Sequence, residues 1–502
     1  MSTRILSLFF ALCLPAVSSA GPNILLISVD DMNRDSLSSF GCPLPDISPN
    51  IDKLAESGMK FEHAHVQVGN CYPSRNVMWS GRFSHNTGVE GFYQVKPSNY
   101  PHLVDIMQKA GYWVGIRGKV SHSTPYLPYH WDEDLTEKDE GGKEHIKDVE
   151  SYGRSVTRGI AKAKTAGKPF CLSINISDPH KPFWGPKDGH PASRIYTAKE
   201  VPVPGFLPDD PAIREELALY YTSVRRADDA VGSIMKALAE SGAEEETFIL
   251  FLSDHGMPLP FAKTQLYHHS TVTPLIVKWP GVTESGAFDS THLVSAVDFV
   301  PTLCDVVGVE HPDGVDGKSF AGLLRGEKEA GWDSVFKVYN ENAGGNRHPI
   351  RGVETADYLY LFNPWSDGVN QFRTATQGTV SYKRLQQLAK TDEKIAARLD
   401  LFDHRVVEEF YDMKNDRDCL VNLIDSKEHA EALTKHRALL EKWMRDTGDH
   451  ALVPFEGRED PAILKAYIDK VTAEAQERRS KNRKNKKQPK GGKGKKKGKK
   501  AA

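Results

Sequence analysis

Four short apolar runs, each followed at once by polar or charged residues, constrain the fold of this chain more than any other feature. They cover residues 23–29, 112–117, 170–176 and 247–252. Continuous apolar runs of this length, separated by helical segments, are typical of strands buried on both faces of a sheet. The sequence therefore predicts an α/β sandwich built on a large, mixed, mostly parallel sheet.

The segments between these runs have the patterns of helices. Residues 50–57 stop at Gly58 and residues 103–110 stop at Gly111, and glycine commonly follows a helix C-terminus. Residues 212–240 place apolar side chains near helical spacing and predict one long amphipathic helix.

The pattern changes from about residue 338. Residues 358–362 and 409–413 are strand candidates, and residues 428–445 form a helix candidate that ends before Gly448. We therefore expect an α/β domain over residues 22–340 and a smaller α+β domain with an antiparallel sheet and a helix over 341–455. Residues 456–502 are expected to form a linker, a helix and a Lys-rich tail.

The first twenty residues have the pattern of a cleaved secretory signal. Arg4 precedes a mostly apolar stretch, and small residues end at Ala20. We expect the protein to be exported, to the periplasm or the medium. No other run is long and apolar enough to cross a bilayer, so the chain is not predicted to be transmembrane. The five cysteines outside this segment match no zinc or disulfide pattern, and their pairing stays open.

The net charge of −2 conceals a strongly basic end. Residues 478–500 contain 14 Lys and Arg and no acid, which leaves −16 for residues 1–477. The Gly/Lys run has no apolar residues to bury and is expected to be disordered. It could contact an anionic polysaccharide, a cell surface or, without specificity, nucleic acid; a solvated tail with no specific role is the alternative.

Acidic residues follow two of the apolar runs. Asp30 and Asp31 follow the first, and Asp254 and His255 follow the last. The carboxyl ends of parallel strands meet at one edge, where α/β proteins bind ligands. Three carboxylates in one pocket raise each other's pKa, so they favour a bound cation. Oxygen ligands suit Ca²⁺ or Mg²⁺, and the histidine also permits Zn²⁺ or Mn²⁺. A helix cap or a solvated turn is the alternative for Asp30 and Asp31 taken alone.

Cationic and imidazole side chains accompany these acids. Arg75, Lys119 and Lys263 could neutralise an anionic substrate group, while His122 and His180 could move protons. Each has an ordinary explanation when taken alone, as a surface lysine or a histidine bonded in a loop. Five such residues beside an acidic cluster indicate catalysis on an anion with an oxygen leaving group.

The stretch Cys71-Tyr72-Pro73-Ser74-Arg75, followed by Ser80-Gly81-Arg82, resembles the signature of formylglycine-dependent (type I) sulfatases. The order of motifs from about residue 22 to 455 is also similar to that family. The resemblance implies an alkaline-phosphatase-like fold, a Ca²⁺ site (Mg²⁺ or another divalent ion being possible) and oxidation of Cys71 to formylglycine by a maturation enzyme. The implied metal ligands are Asp30, Asp31, Cys71, Asp254 and His255.

Two branches of the family compete in the finer details. Residues 177–180, 256–260, 263–267 and 351–355 resemble heparan N-sulfatases, whereas residues 118–122 and the Asp254-His255 pair are more similar to iduronate-2-sulfatases. N-sulfatases usually have Asn at the position of His255 and Arg at that of Lys263. The implied substrate is a sulfated sugar, with N-sulfoglucosamine of heparan-like glycans first and an O-sulfate as the alternative.

The resemblance also implies a mechanism. Hydrated formylglycine, a gem-diol held by the metal and Arg75, attacks sulfur while Lys119 and Lys263 stabilise the sulfuryl oxygens. His180 acts near the leaving group, and His122 takes the proton that allows the covalent sulfo-enzyme to release sulfate. A phosphatase or phosphodiesterase of the same fold would usually have Ser or Thr at position 71. An inactive glycan-binding relative would lack an essential ligand, and none is missing.

Overall fold

Two sheets organise the chain. The computed structural model describes residues 21–92, 94 and 98–487, with side chains described to residue 480, so the predicted signal segment and residues 488–502 lie outside the described residues. The strands are β1 Asn23–Asp30, β2 Met59–His65, β3 Trp113–Arg117, β4 Glu133–Asp134, β5 Phe170–Pro179, β6 Thr247–Ser253, β7 Leu275–Lys278, β8 Ala287–Ser295, β9 Val335–Glu341, β10 Arg347–Glu354, β11 Tyr358–Phe362 and β12 Glu408–Asp412.

Helices cover both faces of the larger sheet and one side of the smaller one. They are α1 Pro49–Ser57, α2 Cys71–Ser80, α3 Ser84–Thr87, α4 Leu103–Lys109, α5 Val120–Ser123, α6 Val149–Thr165, α7 Pro211–Glu240, α8 His268–Thr271, α9 Phe299–Val307, α10 Ala321–Leu324, α11 Val380–Leu388, α12 Glu393–His404, α13 Ala430–Thr447, α14 Leu452–Glu456 and α15 Pro461–Lys487. None of these helices is long and apolar enough to span a membrane.

The larger sheet has the order β4-β3-β5-β1-β6-β7-β2-β8. Only β7 runs antiparallel to its two neighbours, β6 and β2. The smaller sheet, β12-β11-β10-β9, is antiparallel throughout. The predicted architecture of a large, mostly parallel sheet with a smaller antiparallel one is therefore confirmed.

The core lies on both faces of the larger sheet because its central strands are apolar on both sides. In β1, Leu25 and Ile27 pack with the residues of α1, α6 and α7, whereas Ile24 and Leu26 pack against the opposite layer, which includes Trp79. This two-sided burial explains why the strand reads as a continuous apolar run. The described cysteines, all buried, are free thiols.

Candidate active site

Three adjacent parallel strands bring the acidic residues together. Strands β5, β1 and β6 are neighbours, so their carboxyl ends meet at one edge of the sheet. Asp30 is the last residue of β1, and Asp254 follows β6 directly. Asp31 has a φ of 71°, a left-handed conformation that Asp tolerates better than most residues, and its backbone N–H donates to Asp254 Oδ1 at 3.2 Å. The turn thus fixes these carboxylates to each other.

Cys71 begins helix α2 and faces this edge. Its Sγ lies 3.1 Å from His255 Nε2, 3.5 Å from Asp30 Oδ1 and 4.0 Å from Asp31 Oδ1. The side chain is buried, and burial followed by the Asp30 carboxylate raises the pKa of the thiol well above its ordinary value. A protonated thiol is a poor nucleophile, so the unmodified cysteine is badly suited to attack an anion.

The donor set at this edge fits a divalent cation. Ligand atoms from Asp30, Asp31, Cys71 and His255 all lie within 4.8 Å of one another, and all four residues are buried. Asp254 differs, because its Oδ2 accepts from Arg75 and its Oδ1 lies 3.7 Å from His255 Nε2. Burial raises the pKa of Asp254 against the pull of Arg75, and Asp30 adds to the rise. Crowded carboxylates of this kind are relieved by a cation.

Arg75 is fixed by polar residues that the sequence analysis did not single out. Its Nε donates to Asp254 Oδ2 at 2.9 Å, and its Nη1 donates to Ser28 Oγ at 2.8 Å and Asn175 Oδ1 at 2.5 Å. Its Nη2 is buried and has no hydrogen-bond partner in the part of the chain that the structure describes. The guanidinium therefore keeps one donor for a ligand. The signal for Ser28 and Asn175 was their polarity inside two apolar strands.

The two lysines each face one carboxylate. Lys119, at a φ of 52°, forms an ion pair with Asp30 Oδ2, and Lys263 Nζ donates to both oxygens of Asp31 at 2.7 Å. Although burial opposes the charge of these lysines, the carboxylates raise the pKa of both. The pKa values of Asp30 and Asp31 are lowered in turn, against burial, chiefly by Lys119 and Lys263 respectively. Both ammonium groups are therefore held charged at the site.

The two histidines occupy different environments. His180 is 37% exposed, its Nδ1 lies 2.6 Å from Lys181 O, and its Nε2 lies 4.0 Å from Asp31 Oδ2. The proton on Nδ1 is thus engaged by the backbone, which leaves Nε2 towards the cluster. Burial, followed by Lys119 and Arg75, lowers the pKa of His122 to about 4. The His122 ring packs edge-on against Tyr72, the neighbour of Cys71.

A buried ion-pair network supports His180, and the sequence analysis missed two of its members. Lys147 Nζ donates to Asp178 Oδ1 at 2.6 Å and to the backbone oxygen of His180 at 2.9 Å. Arg226, on α7, donates from Nε to Asp178 Oδ2 at 2.8 Å. One carboxylate and two cations thereby fix the loop that carries His180. No local motif marks Lys147 or Arg226, because each comes from a distant helix or loop.

All the predicted site residues apart from His122 contact one another at this edge. The His122 ring packs against Tyr72 and Phe92, and its backbone N–H donates to the oxygen of Lys119 at 2.9 Å, so His122 lies beside the cluster. Asn76, on α2, donates to the backbone oxygen of His122 at 3.0 Å. The sequence order of the motifs therefore becomes one cluster of carboxylates, cations and imidazoles around residue 71.

Known proteins are similar to this chain over most of its length. The sequence model of the Sulfatase family matches residues 22–309, and that of the N-sulphoglucosamine sulphohydrolase C-terminal region matches residues 254–368. Human N-sulphoglucosamine sulphohydrolase is 28% identical over 484 residues, covering 85% of this chain and 90% of the human protein. An ulvan-active sulfatase of Formosa agariphila is 25% identical over 469 residues, covering 86% and 76%.

Solved structures share the fold. BT4656 in complex with its substrate D-glucosamine-2-N,6-O-disulfate superposes with a TM-score of 0.64 at 19% identity, covering 86% of this chain and 99% of that one. The phosphonate monoester hydrolase of Agrobacterium radiobacter reaches 0.64 at 18% identity, covering 85% and 96%. The fold is therefore alkaline-phosphatase-like, and fold alone does not separate these activities. The match of the family model over more than half of the sequence does: the chain belongs to the sulfatase family, the hydrolases of sulfuric esters.

Proposed function

We propose that this protein hydrolyses the sulfo group of a sulfated sugar, with N-sulfoglucosamine of heparan-like glycans as the first candidate, through a formylglycine made from Cys71. The observation that carries the proposal is the position of Cys71. Its Sγ lies within 4.0 Å of His255, Asp30 and Asp31, and the thiol itself is buried and held protonated. This position needs a better nucleophile than a thiol.

Asp30, Asp31, His255 and the side chain at position 71 would hold a divalent cation, for which we propose Ca²⁺ or Mg²⁺, and Asp254 could join them through Oδ1. A bound cation would polarise a sulfuryl oxygen and offset negative charge, while hydrated formylglycine would supply the attacking oxygen. The fit rests on four neighbouring ligand atoms: two carboxylate oxygens, an imidazole nitrogen and the Cys71 sulfur, which formylglycine would replace with oxygen.

The chain's own residues would position and neutralise the sulfo group. Arg75 offers its Nη2, which has no hydrogen-bond partner among the described residues, and Lys119 and Lys263 bring two further cations to the carboxylate edge. Fixed donors of this kind act where charge develops in the transition state, so they lower the barrier without having to reorganise. They would bind the sulfo oxygens and align the sulfur with residue 71.

The two histidines would handle the protons. His180 is partly exposed and presents Nε2, so it would protonate the leaving nitrogen or oxygen of the sugar. His122 is neutral above its pKa of about 4, so it would accept a proton from the residue-71 hydroxyl during the second step. Tyr72 takes no part in proton transfer; its ring packs edge-on against the His122 ring and holds that ring beside α2.

The nature of the bond to be cleaved is the finer part of the proposal. The 28% identity with human N-sulphoglucosamine sulphohydrolase and the match to its C-terminal region favour an N-sulfate. His255 and Lys263, which replace the Asn and Arg usual in that branch, favour an O-sulfate as the second candidate. His255 still provides a metal ligand, and Lys263 still provides a cation.

Export and maturation belong to the same proposal. Residues 1–20 would direct secretion or transfer to the periplasm, and a formylglycine-generating enzyme would oxidise Cys71. The 14 basic residues between 478 and 500 would contact an anionic polysaccharide or a cell surface. Removal of residues 478–502 should then weaken retention on immobilised heparin.

Product analysis on defined sugars tests the function. The export-matured protein is incubated with N-sulfoglucosamine, 6-O-sulfated glucosamine and 2-O-sulfated uronate ends, with Cys71→Ala as the control, and the mass of the peptide carrying residue 71 is measured. Release of a free amine from the first sugar supports the N-sulfatase. Release of O-sulfate alone supports the second candidate, an O-sulfatase. Full turnover by Cys71→Ala contradicts the proposed nucleophile.

A further inference from the structure

Lys181, the neighbour of His180, is a cation at the site that no step above uses. Its side chain is 35% exposed, and its only described ion pair is a 3.5 Å contact between Nζ and Glu216 Oε1. The ammonium also lies 5.3 Å from the centre of the Phe183 ring. Lys263, by contrast, makes two contacts of 2.7 Å with Asp31. Lys181 is therefore held far more loosely than the other lysines of the site.

Glu216 does not need Lys181 to offset its charge. Its Oε2 accepts from the backbone N–H of Ser381 at 2.7 Å and from Ser381 Oγ at 2.6 Å, and its Oε1 accepts from the N–H of Val380 at 3.1 Å. These donors belong to the first turn of α11, where the helix dipole also favours an anion. The carboxylate is thus already satisfied, and the lysine can turn to another anion.

Lys181 directly follows His180 in the chain, and His180 lies beside the carboxylate cluster. His180, the preceding residue, lies 4.0 Å from Asp31 through its Nε2. Burial lowers the pKa of Lys181, while Glu216 and, more weakly, Asp31 oppose that fall. The influence of Asp31 supports a location on the side of the carboxylate edge. A partly desolvated ammonium with one long ion pair favours an additional anionic partner.

We propose that Lys181 forms a subsite for a second anionic group of the substrate, carried beside the sulfo group that is hydrolysed. The inference rests on the proposed function and adds to it: the preferred sugar would bear a second sulfate, or its neighbour in the glycan would bear a carboxylate. Lys181 is exposed enough for such contact, whereas Lys147, on the other side of His180, is bound to Asp178 and to backbone.

Paired substrates test the subsite. Glucosamine N-sulfate is compared with glucosamine N,6-O-disulfate and with a disaccharide that joins the N-sulfated sugar to a uronate. For Lys181→Met we expect the preference for the doubly anionic substrate, taken as the ratio of kcat/KM values, to fall about tenfold, mainly through KM. Lys181→Arg should restore most of it. If the kcat/KM preference falls for the disulfated sugar, Lys181 binds a sulfate; if it falls for the uronate disaccharide, Lys181 binds a carboxylate.

The control is Lys187→Met, since Lys187 is an exposed lysine of the same loop, and thermal unfolding checks that the variants fold. An equal loss on all three substrates, or an unchanged ratio, overturns the subsite. Binding of the disulfated sugar to Cys71→Ala, with and without Lys181→Met, gives a readout without turnover. A tenfold weakening there supports the subsite even if no hydrolysis occurs, so the two proposals fail separately.

Discussion

Lys263→Met is expected to lower stability strongly in a chelator and weakly in the presence of a divalent cation. In the described structure Lys263 Nζ is bound to both oxygens of Asp31, and neither side chain has appreciable contact with solvent. Methionine keeps the length and removes the charge, so Asp31 loses its nearest cation without a large cavity. A bound divalent cation would take over the neutralisation of Asp31, because Asp31 belongs to the candidate metal group.

The size of the effect follows from the burial and the distance. At 2.7 Å and an effective dielectric constant of about 20, the gross attraction between two unit charges is about 6 kcal/mol. Removing one partner of a buried pair costs about 3–5 kcal/mol net. His180 and His255 also favour the charged form of Asp31, so we expect the lower end, about 3 kcal/mol.

The melting temperature and the turnover rate give two readouts. An unfolding entropy of about 2.1 cal/mol/K per residue gives about 1 kcal/mol/K for a chain of about 480 residues, so the melting temperature should fall by about 3 °C in chelator. With Ca²⁺ the fall should shrink to about 1 °C or less, and kcat measured with Ca²⁺ should drop by about 10²–10³ because a transition-state cation is missing.

Lys278→Met is the matched control. Lys278 pairs with Glu244 at 2.8 Å outside the site. Although Lys278 is largely buried, Glu244 is 34% exposed and would stay hydrated after the change, so the loss should cost about 1 kcal/mol or less and should not depend on metal. Equal melting temperatures for wild type and Lys263→Met in chelator would refute the stability argument. A deficit that Ca²⁺ leaves untouched would refute the assignment of Asp31 as a ligand.

Three further predictions test other parts of the chain. Arg351→Met should lower the free energy of unfolding, measured in urea, by about 3–5 kcal/mol, because Asp449 loses a buried bidentate partner. Arg351 lowers the pKa of Asp449, so this loss of stability should be full above the ordinary Asp pKa and should shrink as the pH falls below it. The kcat–pH profile should show no loss from protonation of His122 until the pH approaches about 4, and an acid limb near pH 6.5 would contradict its role as the base. Lys147→Met should lower kcat more than it raises KM, because it frees the loop that carries His180; equal unfolding temperatures with unchanged kcat would refute this.

The sequence predicted the parts of the fold that carry a strong local pattern. The first apolar run became β1, and the tyrosine- and leucine-rich run became β11 with the predicted bounds of residues 358–362. Strands β2 and β8 were not identified, because neither is a continuous apolar run and both carry polar residues at partly exposed positions. Such strands near an edge resemble loops or helix segments until their neighbours are known.

In the candidate site, too, residues marked by a local sequence pattern were predicted, and residues without one were missed. Asp30 and Asp254 come directly at the ends of two apolar strands, so their convergence could be predicted from the sheet, whereas Cys71 was assigned to the site by its resemblance to the family signature. Lys147 and Arg226 were missed because both bind Asp178 only when α7, the loop of Lys147 and β5 pack together. The spacing of these residues in the sequence does not indicate that packing. Only the packed structure could place these two cations on one carboxylate.

The charges at the site connect metal binding with substrate binding. Three carboxylates face three cations, one pair each: Asp30 with Lys119, Asp31 with Lys263, and Asp254 with Arg75. These formal charges cancel, so a divalent cation added among the carboxylates would leave a surplus of two positive charges and release the lysines towards an anion. Because coupling between two ligands is reciprocal, a sulfo group should then strengthen metal binding by the same factor by which the metal strengthens sulfo binding. The acidic cluster would thereby make the affinity for an anionic substrate depend on the bound cation. Lysines and arginines without paired carboxylates would bind the anion whether or not a cation was present.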